Sequence, residues 1–194
     1  MRLRILNRQN SRGIILVHGL FTNSGFWLNY IKHFETYKVF LLDIEYAQIK
    51  SEKLEFVSLV DELVNSEQIK FIIGHSFGAL FLDYCKLNSP STIGINPPHF
   101  GDRKNSDFIK HVMTRYAATR KSVISELKKI YNEVGEIGMD SSRLSQVICC
   151  DSDEFFEYPE SCAFQDYTVV SGNHFEIPRA LSLINKNIKN YVNQ

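Results

Sequence analysis

Apolar residues along this chain fall into short unbroken runs, with stretches of helical spacing between them. Gly13-Ile14-Ile15-Leu16-Val17, Lys38 to Ile44 (KVFLLDI), Lys70-Phe71-Ile72-Ile73, Ser91 to Asn96 (STIGIN), Leu144 to Cys150 (LSQVICC) and Tyr167 to Val170 are the runs. Continuous runs of this length predict parallel strands covered on both faces, because a one-sided strand would alternate. Residues 2–7 do alternate (Arg2, Leu3, Arg4, Ile5), which predicts a half-exposed edge strand. Phe26, Trp27, Tyr30, Ile31 and Phe34 recur at helical spacing after the potential cap residues Thr22-Asn23-Ser24. Helices are also predicted over Ser51–Asn65, from Phe77 to about Leu87, over Glu157–Phe164 with Pro159 near its start, and over Ile177–Val192. The segment 102–139 breaks this rhythm and reads as two helices, Ser106–Tyr116 and Lys121–Val134. Strand–helix alternation with one insertion predicts an α/β domain over 1–194, with a mostly parallel sheet of about six strands and helices on both faces.

Composition narrows the possibilities. A length of 194 residues suits one core, and a net charge of zero gives no overall pull toward nucleic acid or an anionic membrane. No stretch approaches a membrane span, and Met1 to Gly13 has no apolar segment of the signal-peptide kind. Cys85, Cys149, Cys150 and Cys162 form no C-x-x-C pair, so buried free thiols and a reducing cytoplasm are expected. The six histidines lack H-x-x-x-H or H-x-H spacing, so no metal is expected.

The chemistry concentrates in Lys70 to Leu80, KFIIGHSFGAL. An apolar strand runs into Gly74-His75-Ser76-Phe77-Gly78, and helix formers follow. This is G-x-S-x-G in the strand–turn–helix setting that lifts a serine hydroxyl above a sheet. So sharp a turn demands small residues two before and two after the serine. The bland alternative is a Gly turn in which Ser76 merely caps the helix. Three further strand ends carry reactive groups: His18-Gly19, the Asp151-Ser152-Asp153-Glu154 group, and Gly172-Asn173-His174. In open α/β sheets ligands gather at strand carboxyl ends.

From HGLF through GHSFG and DSDEFF to GNHF, the chain resembles the α/β-hydrolase family, with Ser, Asp and His in that family's order. The resemblance implies an α/β-hydrolase fold, a small helical lid at 102–139, and a serine hydrolase acting on an acyl ester or thioester without a cofactor. It implies Ser76 as nucleophile and His174 as base. Asp151, Asp153 and Glu154 all follow the relevant strand. The resemblance favours Asp153, and Asp151 has an alternative role in the turn. It also implies an oxyanion loop at His18-Gly19, with backbone amides of Leu20 and Phe77 as donors. His75 and His99 are expected to pack or to rim the pocket. Phe21, Phe26 and Trp27 are candidates for an acyl pocket, although such spacing more often means core. An acyltransferase or a non-hydrolytic lyase on the same triad, and a non-catalytic binding module on the same fold, are the competing readings.

Segment 102–139 is also basic, with Arg103, Lys104, Lys110, Arg115, Arg120, Lys121, Lys128 and Lys129 against five acidic residues. A solvated helix face explains such a run. An acidic acyl carrier protein docking there is the sharper expectation. The HG-x-aromatic start, Trp27 and the basic segment look somewhat like the pimeloyl-acyl-carrier-protein methyl ester esterases.

Overall fold

The fold is that of a computed structural model, which describes residues 1–20, 22–82, 85, 90–98, 102–103, 144–161 and 166–192. Strands β1 (Arg2–Leu6), β2 (Arg12–Val17), β3 (Lys38–Asp43), β4 (Gln68–His75), β5 (Ser91–Ile95), β7 (Gln146–Cys150) and β9 (Tyr167–Val170) form one sheet. Its order is β1-β3-β2-β4-β5-β7-β9, so it has seven strands where about six were expected. Only β1 runs antiparallel, pairing Arg2 with Asp43 at the sheet edge. Short strands β6 (Asp102–Arg103) and β8 (Phe156–Glu157) make a separate antiparallel pair.

The pleat divides the apolar runs between two cores, because successive residues point to opposite faces. Ile15, Val17, Phe40, Leu42 and Ile72 pack on one face. There they meet α2 (Ile49–Ser66) and α3 (Phe77–Leu82), through Phe56, Val60, Leu80 and Phe81. Ile14, Leu16, Val39, Leu41 and Ile73 pack on the other face. There they meet α1 (Gly25–Leu28) and α4 (Pro178–Val192), through Trp27, Ala180, Leu181 and Ile184. Burial on both faces is why these strands read as unbroken runs.

Three expectations change. The helix predicted from Phe26 to Phe34 is a single turn, α1, followed by a 3-10 turn over Ile31–Phe34. Ser24 does not cap α1; its backbone N–H and hydroxyl both donate to the Asp43 carboxylate. The helix predicted over Glu157–Phe164 is replaced at its start by β8, whose Phe156 is buried and pairs with Arg103. Pairing with a distant strand outweighed local helical spacing there. Cys85, Cys149 and Cys150 are buried. His99, Cys162, Phe21, the end of the elbow helix and residues 104–139 of the expected lid lie outside the described residues.

Candidate active site

The strand–turn–helix at Ser76 has the geometry its sequence predicts. Ser76 sits at φ 51°, a left-handed conformation that costs a non-glycine residue about 1 kcal/mol or more. The flanking glycines are steric requirements. A Cβ on Gly74 would come within 2.6 Å of Ala79 backbone atoms and the Gly78 carbonyl. A Cβ on Gly78 would lie 2.5 Å from the carbonyl oxygens of Val17 and His18. The first glycine lets α3 fold back onto its own strand, and the second lets it settle onto β2. Ser76 N–H donates to Ile95 O at 2.8 Å, tying the turn to β5.

Three strand ends then converge. Ser76 Oγ lies 2.9 Å from His174 Nε2, and His174 Nδ1 lies 2.6 Å from Asp153 Oδ2. Ser76 and His174 are each 3 % exposed and Asp153 is fully buried. The other oxygen of Asp153 accepts the N–H groups of Phe155 (2.8 Å) and Phe156 (3.0 Å). These bonds aim Oδ2 at the imidazole, so Nδ1–H donates to Asp153 and Nε2 is left to accept from the serine hydroxyl. Asp151 takes the alternative considered for it: exposed, it accepts from the Ser152 hydroxyl in its own turn and from Gly172 N–H in the loop after β9. Glu154 accepts the backbone N–H of His174 at 2.9 Å. The short D-x-D-E run therefore splits into a turn residue, an imidazole partner and a backbone anchor.

The loop after β2 is held from behind. His18 is buried; its Nδ1–H donates to Gly19 O at 2.8 Å, and its Nε2 accepts Ile44 N–H at 3.0 Å. Thr22 donates to the Gly19 carbonyl as well, from its hydroxyl at 2.8 Å and its backbone N–H at 3.3 Å. The Tyr46 hydroxyl donates to His18 O. A Cβ on Gly19 would lie 2.9 Å from Ser76 Cβ, so this loop packs directly on the serine. Leu20 and Phe77 are both nearly buried beside it. Trp27 is fully buried in the core, and the Phe26 ring stacks on His75 at 4.6 Å. A polar cavity of about 730 Å³ opens on the far side of the loop, against Arg2, Arg4, Ser24, Asp43 and Glu45. His18 lines it but neither Ser76 nor His174 does, so it lies apart from the reactive groups.

Residues that the motif reading passed over hold the site's backbone. Asn96, at φ 49° just past β5, accepts Cys150 N–H at 2.8 Å and donates to His174 O at 3.3 Å. Its position at a strand end before Pro97-Pro98 was the available signal. His75 is fully buried rather than at a rim. Burial lowers the pKa of His18 against opposing effects of the Gly19 carbonyl and Asp43, and it holds His75 well below the usual histidine range, with His174 adding to the effect.

That pair makes a stability prediction. An unfolded histidine titrates near 6.5, roughly, and a folded one with a lowered pKa binds fewer protons below that pH. The folded state is therefore fully favoured above about pH 6.5 and loses stability as pH falls through it, by up to roughly 1.4 kcal/mol per pH unit for each histidine. Urea midpoints at pH 7.5, 6.5 and 5.5 should fall together with pH; a flat profile would contradict neutral, buried His18 and His75.

No protein-family model and no curated protein sequence matches the chain. Solved structures match it over nearly its whole length. The thioesterase domain of NocB, solved as a covalent complex with a fluorophosphonate nocardicin G analogue, is 14 % identical with a TM-score of 0.67, covering 100 % of both chains. An esterase from Exiguobacterium antarcticum is 10 % identical with a TM-score of 0.66, covering 99 % of this chain and 95 % of its own. The surfactin thioesterase domain SrfTE is 12 % identical with a TM-score of 0.59, covering 99 % and 96 %. The chain thus has the α/β-hydrolase fold. Among the described residues, no helix is long and apolar enough to cross a membrane, and no group of three His, Cys, Asp or Glu residues could hold a metal ion.

Proposed function

We propose that this protein is a serine hydrolase that cleaves acyl esters or thioesters through an acyl-enzyme intermediate. The carrying observation is the unbroken hydrogen-bonded line from Asp153 through His174 to Ser76, on a strained turn. A neutral serine hydroxyl is a weak nucleophile and needs a base within hydrogen-bond reach. His174 Nε2 takes the Ser76 proton as Oγ attacks the carbonyl carbon. Asp153 orients the ring and stabilises the imidazolium. The amides of Leu20 and Phe77 hold the oxyanion, an interaction worth several kcal/mol of barrier per donor in such sites. His174 then protonates the leaving alcohol or thiol, and water, activated by the same base, releases the acid. None of these steps calls for a cofactor.

The finer reading is a substrate carried on an acidic acyl carrier protein that docks at the basic segment 102–139, in a reducing cytoplasm. The neutral chain concentrates its positive charge there, and thioesterase domains share the fold. Hydrolysis of p-nitrophenyl esters of increasing acyl length, beside labelling by a fluorophosphonate probe, tests the reaction. Turnover and labelling of Ser76 are expected, and the length profile reports the acyl pocket. A folded protein that neither cleaves these esters nor takes the probe would be a binding module instead.

A further inference from the structure

His75 precedes the proposed nucleophile, yet its side chain is directed at the proposed base. Its Nε2 lies 2.7 Å from the carbonyl oxygen of His174. A carbonyl oxygen can only accept, so Nε2 carries the proton and Nδ1 is left with a lone pair. That Nδ1 is buried and has no hydrogen-bond partner among the described residues. Gly19 closes over it, since a Cβ there would lie 3.1 Å away. Phe26 stacks on the ring at 4.6 Å and 22°, which fixes its plane. A side chain needed only to fill this space would be apolar, because an unpaired buried nitrogen is unfavourable. What histidine adds over phenylalanine or leucine here is the single Nε2–H donor.

The bond also closes a ring. Ser76 meets His174 through the imidazole, and the residue covalently before Ser76 meets His174 through its backbone. Two consecutive residues of the turn thus hold one residue of the β9–α4 loop at both its ends. We propose that His75 is a positioning residue, a neutral strut whose Nε2–H fixes the His174 backbone and thereby the Ser76 Oγ to His174 Nε2 distance. Asn96 Nδ2, just past β5, donates to the same His174 carbonyl at 3.3 Å, and Glu154 accepts the His174 N–H from the turn after β7. Asn96 reaches the serine turn through its neighbour Ile95, whose carbonyl accepts Ser76 N–H, whereas His75 is joined to Ser76 by the chain itself. The inference rests on the hydrolase reading for its kinetic consequence but not for its geometry.

The test compares His75→Leu, His75→Gln and His75→Asn. Gln places an N–H near the Nε2 position; Asn falls short of it; Leu keeps bulk without a donor. With p-nitrophenyl butyrate, Leu and Asn are expected to lower kcat by about 10- to 100-fold with KM within about threefold, as a misplaced base should. Gln is expected to stay within about fivefold of wild type. The NMR resonance of His174 Nδ1–H, bonded to Asp153, should be kept in Gln and shifted or lost to exchange in Leu and Asn. This signal needs no turnover, so it still decides the matter if wild type proves inactive and the hydrolase reading fails. If the Leu variant does not fold, Gln against Asn carries the comparison. Equal loss in Gln and Asn, or wild-type kcat and resonance in a folded Leu variant, overturns the strut.

Discussion

Replacing Ser76 with alanine is expected to lower kcat for ester hydrolysis by on the order of 10⁶-fold, and His174→Ala by a similar factor. The two losses should not add, because the proposed nucleophile and base, 2.9 Å apart, would act as one unit. The residual rate is expected to come from the proposed oxyanion donors and substrate binding alone. Neither change should unfold the protein. Ser76→Gly is more informative still. The residue sits at φ 51°, where glycine is unstrained, so this variant should be equally inactive yet no less stable, gaining up to about 1 kcal/mol. Steady-state kinetics with thermal melting on the three variants checks both claims. A fully active Ser76→Ala protein would remove the proposed mechanism.

The second large effect separates two aspartates that are two residues apart. Asp153→Asn is expected to cost about 10⁴-fold in kcat, while Asp151→Asn stays within a few-fold. Asp153 is fully buried and bonded to His174 Nδ1 at 2.6 Å. An amide there offers N–H where an acceptor is needed, and it favours the wrong imidazole tautomer. Asp151 is exposed and accepts from Ser152 in its turn and from Gly172 in the loop after β9, and an asparagine Oδ1 serves those donors equally well. The measurement is kcat across pH 6 to 9 for each variant, roughly the range in which a histidine base operates. The reverse order, with Asp151→Asn inactive, would assign the carboxylate wrongly.

Several elements were legible because their cause is local. Unbroken β-branched runs such as Gly13 to Val17 reflect burial on both faces, and that burial is what the two cores show. The glycines around Ser76 were legible for the same kind of reason, since backbone crowding within one turn admits nothing larger at Gly74. Where long-range contacts compete, local pattern failed. Phe156-Glu157 joined β6 as a strand despite helical spacing after it. The stretch after Ser24 broke into two short turns, with Ser24 drawn to Asp43 and the Tyr30 hydroxyl donating to Phe175 O at 2.8 Å.

The order of strands and helices, the serine on its turn and a histidine at a later strand end were determined by the sequence itself, since hydrophobic period and glycine sterics are properties of neighbouring residues. The resemblance favours Asp153, but its contact with His174 Nδ1, the inward turn of His75 and the anchoring by Asn96 and Glu154 are visible only in the tertiary structure. Each depends on which side chain meets a hydrogen-bond partner 20 to 99 residues away, and no local spacing encodes that meeting.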